Sequence, residues 1–459
     1  MNSLMDKYKS LLLDYNETIT TESDKIIIPE MVLSLDQQIA MEVYKSKKNM
    51  VIVGSAGSGK SVVIKEIYKH AKAQNYYNNI YITATTGVAA YSINGITINS
   101  FAGIGTGEHS IANIITKVKK NKTTLHRIRE TNILVIDEVS MMSAEIFEKL
   151  NTLFQTLRGS RKLFGGIQLI LSFDILQLQP VFKDYTRDCR LIIQSEIFQK
   201  SFNKEKGNLI LLQKSFRQEN DIPFKNMLNE IRVGTVTEQT LKLLEQRRME
   251  NFPDIPKDLV ELVPTNKQAN DINYNKLNAI RGKMYTFEAI IKKSNINPDV
   301  EAVLERELIT QLNSKNAMNL QIKIGAKVML IKNLDVSSGL CNGSVGTIKG
   351  ISNSEISVFF ENGLTHYIKK EEFKLEMENC RVTMQQYPLI LAYSITISKA
   401  QGLTLTNAIL DLNKCFCVHQ TYVALSRLTN LNGLYIRTFD EKKILVDSEC
   451  LYWMESIRN

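Results

Sequence analysis

The stretch MVIVGSAGSGKS, Met50 to Ser61, joins a short apolar run to a glycine-rich turn that ends in a lysine and a serine. Its spacing, G-x-x-x-x-G-K-[ST], is that of a phosphate-cradling loop between a strand and a helix. Gly54, Gly57 and Gly59 let the backbone turn where a side chain would forbid it, so the amides around Ser55, Ala56 and Ser58 can converge on phosphate oxygens. Lys60 supplies a full positive charge to the outer phosphates, and the Ser61 hydroxyl is a hard oxygen ligand for magnesium. The flanks agree with this reading: 50–53 has the character of a buried strand, and Val62, Val63, Ile64, Ile67, Tyr68 and Ala71 recur at helical spacing. Kinases, switches, motors and helicases all use such a loop, so it identifies a nucleotide site and not yet a reaction.

A chain of 459 residues, 44% of them apolar, is too long for one core and predicts several domains. A net charge of +9 favours an anionic partner. The six cysteines form no C-x-x-C pair and read as reduced thiols of an intracellular protein, with the compartment left open. No run approaches the length of a membrane span. Leu4, Tyr8, Leu11, Leu12 and Tyr15 predict an amphipathic N-terminal helix, and Ser34 caps a second helix running to about Lys45, which carries Gln37.

Further apolar strands follow at 80–84, 133–136 and 165–174, and ligands in open α/β sheets gather where such strands end. The first of them leads into Thr85 and Thr86. The next leads into Asp137 and Glu138, a pair suited to hold a metal ion and to activate water. Residues 143–158 predict a helix with Ile146, Phe147, Leu150, Leu153, Phe154 and Leu157 on one face. Gln177, after the 165–174 strand, is a neutral amide placed to report on a terminal phosphate. The segment from Gly95 to Gly105 mixes Asn99, Ser100 and Phe101; a base could stack on Phe101, although its own pattern reads as core. From about 284 glycines multiply, short strands appear, and Asn362-Gly363 signals a hairpin, so a small β-barrel interrupts a second α/β unit that resumes at 388–394.

The ordered set LSLDQQ, GSAGSGKS, TTGVAA, GITINSFAGIG, LVIDEVSMM, FGGIQLILSFDILQLQPV, SFRQ, TISKAQGLTL and YVALSR resembles the petite-integration-frequency helicases of the RecD-like branch of superfamily one, from about Leu33 onward. IGAKVMLIKN and LCNGSVGTI look like that family's inserted barrel. The resemblance implies an α/β fold of two tandem RecA-like lobes with an SH3-like β-barrel in the second. The implied divisions are an N-terminal extension (1–32), a first lobe (33–195, with a small insertion near 100–125), a second lobe (196–283 and 386–459) and the barrel (284–385).

The resemblance further implies a monomeric ATP- and Mg2+-dependent motor that moves five-prime to three-prime on single-stranded DNA and opens tailed or forked duplexes. Gln37 would read adenine, Gly402 would touch the nucleotide, Ser61 and Asp137 would hold the metal, and Arg217 and Arg427 would act as arginine fingers. Thr85, Thr86, Asn99, Ser100, Phe101, Ser398 and Lys399 would line the strand's path. The family usually has histidine where Asn99 and Ser398 stand, glycine where Phe173 stands and proline where Gln179 stands. Two rivals share the loop: a small-molecule kinase, and an ATP-switched single-strand-binding module that does not unwind.

Overall fold

The computed structural model describes residues 33–458, except 75–78, 87–88, 91–92, 94, 181, 183–187, 219–220, 257–258, 295, 297, 299–300, 303–304, 306–307, 310–317, 333, 336–337, 339, 341–343, 353, 361–362 and 378–379. The expected helix at 4–15 and parts of the TTGVAA and LCNGSVGTI motifs lie outside the described residues. Among those described, no helix is long and apolar enough to cross a membrane.

Six strands form the first sheet: β1 (Met50–Gly54), β2 (Ile80–Ala84), β3 (Ile96–Thr97), β4 (Ile133–Asp137), β5 (Gln168–Phe173) and β6 (Leu209–Leu212). They lie in the order β3-β2-β4-β5-β1-β6, and every pairing is parallel. β1 and β4 are buried along their whole length, as a strand covered on both faces must be, which is why they read as unbroken apolar runs. The helix Ala144–Arg158 starts where the Ser143 hydroxyl accepts from the Ile146 amide and stops at Gly159 in the left-handed conformation. Its buried face carries Phe147, Leu150, Leu153, Phe154 and Leu157, as the spacing predicts, while Ile146 packs against that core only partly buried.

The order of this sheet corrects one boundary. β6 falls in the segment assigned to the second lobe by sequence, yet it pairs with β1 from Val51↔Leu209 to Gly54↔Leu212. Its four residues, LILL, are a continuous apolar run suited to either sheet, and only pairing decides between them.

The second sheet contains β7 (Val260–Val263), β18 (Ser394–Thr396), β19 (Ala408–Asp411) and β20 (Leu434–Thr438), parallel and in the order β18-β7-β19-β20. Between β7 and β18 the chain builds a β-rich unit. Its largest sheet runs β14-β13-β12-β11-β17, antiparallel throughout, from β11 (Lys327–Leu330), β12 (Val345–Ile351), β13 (Glu355–Phe360), β14 (Thr365–Lys369) and β17 (Leu389–Leu391). Smaller sheets join β8 (Tyr285–Glu288) to β10 (Asn319–Ile322), and β9 (Ile290–Lys293) to β16 (Cys380–Gln386) and β15 (Glu371–Met377). Val328, Leu330, Ile348, Ile356, Val358 and Phe360 fill the core of this unit. The segment 388–394 divides: Leu389–Leu391 closes onto β11, and the second parallel sheet resumes only at Ser394.

The helix Ser448–Arg458 follows the last strand of the second sheet but buries Cys450, Met454 and Ile457 in the hydrophobic core of the first. Trp453 stacks on Phe173 with ring centroids 5.8 Å apart and an interplanar angle of 25°. Gln179 Nε2 donates to Asp447 Oδ2 at 2.9 Å and to Cys450 Sγ at 3.2 Å. The two departures from the family pattern at Phe173 and Gln179 thus lie where this helix docks.

His419 sits at the same seam, 1% exposed. Its Nε2 accepts from the Asp447 amide at 3.3 Å, so the neutral ring carries its proton on Nδ1. Burial lowers its pKa from 6.5 to about 4; Asp174 and Asp447 oppose the shift and Arg232 adds to it. Above pH 6.5 the ring is neutral whether the chain is folded or not. Between pH 6.5 and 4 the unfolded ring takes up a proton that the folded one refuses, so stability falls as pH falls, by about 3 kcal/mol in all. Thermal melts of His419→Asn, whose asparagine tolerates the left-handed backbone found here (φ 60°), should lose that part of the acid sensitivity.

Candidate active site

The loop after β1 turns through Gly57 (φ 77°) and Gly59 (φ 85°), conformations that side chains rarely adopt. Space forbids a side chain there too: a Cβ on Gly57 would stand 2.5 Å from the Arg217 Cβ, and one on Gly59 would stand 2.3 Å from Gln37 Nε2. The glycines therefore admit both the backbone turn and the close approach of two other segments. Lys60 opens the following helix, Lys60–Ala73, and its Nζ donates to the Gly54 and Ser55 carbonyls at 2.8 and 3.1 Å. Ser61 is exposed one position on, while Ser58 is buried with no partner for its hydroxyl among the described residues.

Asp137 closes β4 and is 4% exposed. Burial and the neighbouring Glu138 carboxylate raise its pKa to about 6, against the pull of Lys60. Glu138 takes a left-handed backbone (φ 55°) as the strand exits, strain of the order of ~1 kcal/mol or more that clusters at working sites. Gln401 Nε2, from the second lobe, donates to Glu138 Oε2 at 3.2 Å. Gln177 is 2% exposed; its Nε2 donates to Asp174 Oδ2 at 3.3 Å, and its Oε1 has no partner among the described residues.

Both arginines singled out by sequence stand at this seam. Arg217 lies against Gly57 and its Nη1 donates to the Ser426 carbonyl at 2.8 Å. Arg427 is 2% exposed, with Nε donating to the Val423 carbonyl at 2.9 Å and Nη2 to the Ser426 hydroxyl at 2.8 Å. Burial lowers the pKa of both; that of Arg427 falls to about 10, Arg217 adding repulsion and Glu138 attraction. Gln37 reaches the Gly59 carbonyl at 3.5 Å. Gly402 has φ 86° and follows Gln401 into the seam.

Phe216 was not singled out by sequence reasoning. Its ring, 38% exposed, approaches Gly59 beside Gln37, its amide donates to the Gly57 carbonyl at 2.9 Å, and the Lys214 ammonium stands 4.8 Å from the ring centre. An aromatic between a serine and an arginine carries no periodicity signal. Gln401 was missed for the same reason, although both lie inside quoted motifs.

The residues expected along a strand's path divide. Thr85 donates to the Glu138 carbonyl at 2.8 Å, which ties it to the acid pair, and Thr86 Oγ1 accepts from the Ala89 amide. Asn99 Nδ2 donates to the Gly105 carbonyl at 2.8 Å, whereas Ser100 is exposed. On the second lobe Ser398 is exposed, and Lys399 lines a cleft with Asn270, Tyr274, Asn319 and Gln321. Phe101 is the correction: it is fully buried, packed on Tyr81 and Phe154 with the Arg127 guanidinium 5.1 Å from its ring centre. A ring sealed in the core offers no face to a base. Phe101→Ala should therefore cost about 3–5 kcal/mol of stability, read from a lowered melting temperature.

Residues 32–242 match the family model described as PIF1-like helicase, and residues 307–351 match DNA helicase Pif1, 2B domain. The crystal structure of Pif1 helicase from Candida albicans superposes with a TM-score of 0.82 at 31% identity, covering 93% of this chain and 99% of that one. The chain belongs to the PIF1-like helicase family. The ATP-dependent DNA helicase PIF1 of Danio rerio is 34% identical over 93% of this chain and 64% of its own length. Pif1 helicase from Bacteroides in complex with ADP-AlF3 and ssDNA superposes with a TM-score of 0.70 at 26% identity, covering 93% of this chain and 97% of that one. The chain spans 62%, 56% and 64% of the length of three curated PIF1 relatives that it matches.

Proposed function

We propose that this PIF1-like chain is an ATP-driven DNA helicase that moves five-prime to three-prime along single-stranded DNA and separates tailed or forked duplexes. One observation carries the reading. Two second-lobe guanidiniums, Arg217 and Arg427, are drawn out of water beside the phosphate loop and Glu138 of the first lobe. A small-molecule kinase reading leaves the second parallel sheet that packs beside them unexplained. The relative captured with ADP-AlF3 and ssDNA supports the same assignment.

The residues suit a magnesium–ATP complex. The loop excludes side chains at Gly57 and Gly59, Ser61 and Asp137 supply hard oxygens that would hold the metal, and Gln177 and Ser58 bring buried polar atoms that lack partners among the described residues. The metal would neutralise charge on the outer phosphates. Lys60 would shift from the Gly54 and Ser55 carbonyls to a phosphate oxygen. Glu138, its carboxylate steadied by Gln401, would accept a proton from the attacking water. Arg217 and Arg427 would swing from Ser426 toward the charge that develops in the transition state, a contribution worth ~10³–10⁵ in rate elsewhere. Gln37 and Phe216 would hold the base, one by its amide and one by stacking. Alternating grip by Thr85, Thr86, Asn99 and Ser100 on one lobe and Ser398 and Lys399 on the other would convert closure into movement. A monomer has all of these groups in one chain.

Glu138→Gln should bind ATP with near-normal affinity and lose DNA-stimulated turnover; retained turnover would remove Glu138 from its role as base. Phe216→Ala should raise KM for ATP about tenfold, the scale of one lost stacking contact of ~1–3 kcal/mol. Strand displacement on five-prime-tailed against three-prime-tailed duplexes tests polarity, and activity confined to the three-prime tail would reverse it. An ATPase that single-stranded DNA fails to stimulate would favour the kinase, and stimulated turnover without displacement would favour the switch.

A further inference from the structure

Asp174, just after β5 in the first lobe, is fully buried, and Arg232, near the end of the second-lobe helix Ile222–Val233, is 4% exposed. Arg232 Nη2 lies 2.6 Å from Asp174 Oδ1. Two ions removed from water together are tolerable only where the geometry is close and the remaining lone pairs are used. Here Oδ1 also accepts from the Leu176 amide at 3.3 Å, and Oδ2 accepts from Gln177 Nε2 at 3.3 Å. Arg232, Lys60 and the hydrogen bonds hold the Asp174 carboxyl below its usual range despite burial, so it stays ionised. An ionised carboxylate only accepts. It therefore turns the Gln177 amide nitrogen toward itself and leaves Oε1, which has no partner among the described residues, on the other side.

The same arginine reaches the phosphate loop by a second route. Its guanidinium stands 5.9 Å from the centre of the Tyr422 ring, and the Tyr422 hydroxyl accepts from the Ala56 amide at 3.4 Å. Arg232 Nε is left without a partner in this cluster, a cost that a purely stabilising contact would avoid by an apolar replacement.

We propose that Arg232 is a positioning residue for ATP hydrolysis: brought by the second lobe, it holds Asp174, and Asp174 fixes which face Gln177 presents to the nucleotide. The inference rests on the ATP-hydrolysing reading above. It makes turnover, but not nucleotide binding, depend on the ion pair between the lobes.

The test compares Arg232→Met, Asp174→Asn and the double variant Asp174→Asn/Arg232→Met with the parent chain. Arg232→Met strands a buried carboxylate and should melt well below the parent; the double variant removes both charges and should recover most of that loss. With saturating single-stranded DNA, the double variant should still show kcat reduced about a hundredfold, the scale of a misplaced catalytic group, and KM for ATP changed by less than about threefold. Arg232→Lys, which keeps the charge, should recover part of kcat. If the double variant regains both melting temperature and kcat, or if kcat simply follows melting temperature across the series, the pair is structural and the proposal falls.

A readout independent of turnover separates this from failure of the helicase reading. Trp453, the single tryptophan, stacks on Phe173, the neighbour of Asp174. Its fluorescence should distinguish a non-hydrolysable ATP analogue from ADP in the parent chain and lose that distinction in the double variant. A parent chain that hydrolyses no ATP overturns the helicase reading. A Trp453 signal that is the same for both nucleotides in the parent, or that survives in the double variant, overturns the role of the pair.

Discussion

The seam between the two parallel sheets gathers Arg217, Arg232 and Arg427 from one side and Asp137, Glu138 and Asp174 from the other, most of them nearly or fully withdrawn from water. Each such charge costs several kcal/mol unless an opposite charge or a set of hydrogen bonds meets it. Some of these ions are met within their own lobe, Arg427 by Val423 and Ser426, but Asp174 is met by Arg232 and Glu138 receives Gln401, each from across the seam. This requirement sets how the lobes face each other. Close approach then explains the glycines of the loop, since Gly57 must admit Arg217 and Gly59 must admit Gln37.

Much of this was legible before any coordinates. The loop, the apolar strands around it, the acid pair and the helix over Ala144–Arg158 follow from the sequence, because a covered parallel strand leaves an unbroken apolar run and an amphipathic helix a periodicity of about 3.6 residues, both of which residue types alone reveal. The two arginines were legible only through the motifs that contain them. What escaped was whatever depends on pairing over long separations. LILL at 209–212 is equally apolar in either sheet, and 388–394 reads as one strand although a bend at Ala392-Tyr393 sends its halves to different sheets. Phe101 illustrates the opposite hazard. Its own pattern pointed to the core, the family motif pointed to a base, and the packing of Tyr81, Phe154 and Arg127 decides for the core.

The departures from the family pattern also acquire a physical meaning. Phe173 and Gln179 are not isolated oddities beside the acid of their motif; they form the landing site for Trp453, Asp447 and Cys450. Where a glycine would leave the strand exit bare, this chain places an aromatic ring and stacks a second on it. Asn99 is likewise engaged with its own segment, through the Gly105 carbonyl, so its amide shapes the turn before it meets any ligand.

The return of Ser448–Arg458 to the first sheet bears on how the molecule is made. A ribosome delivers the nucleotide-cradling half several hundred residues before the helix that finishes its hydrophobic interior. Until that helix emerges, the surface destined for Cys450, Met454 and Ile457 stays wet, so the nascent half waits in an incomplete form that chaperones would recognise. Damage to Ser448–Arg458 would then be felt first in a part of the protein synthesised well before it.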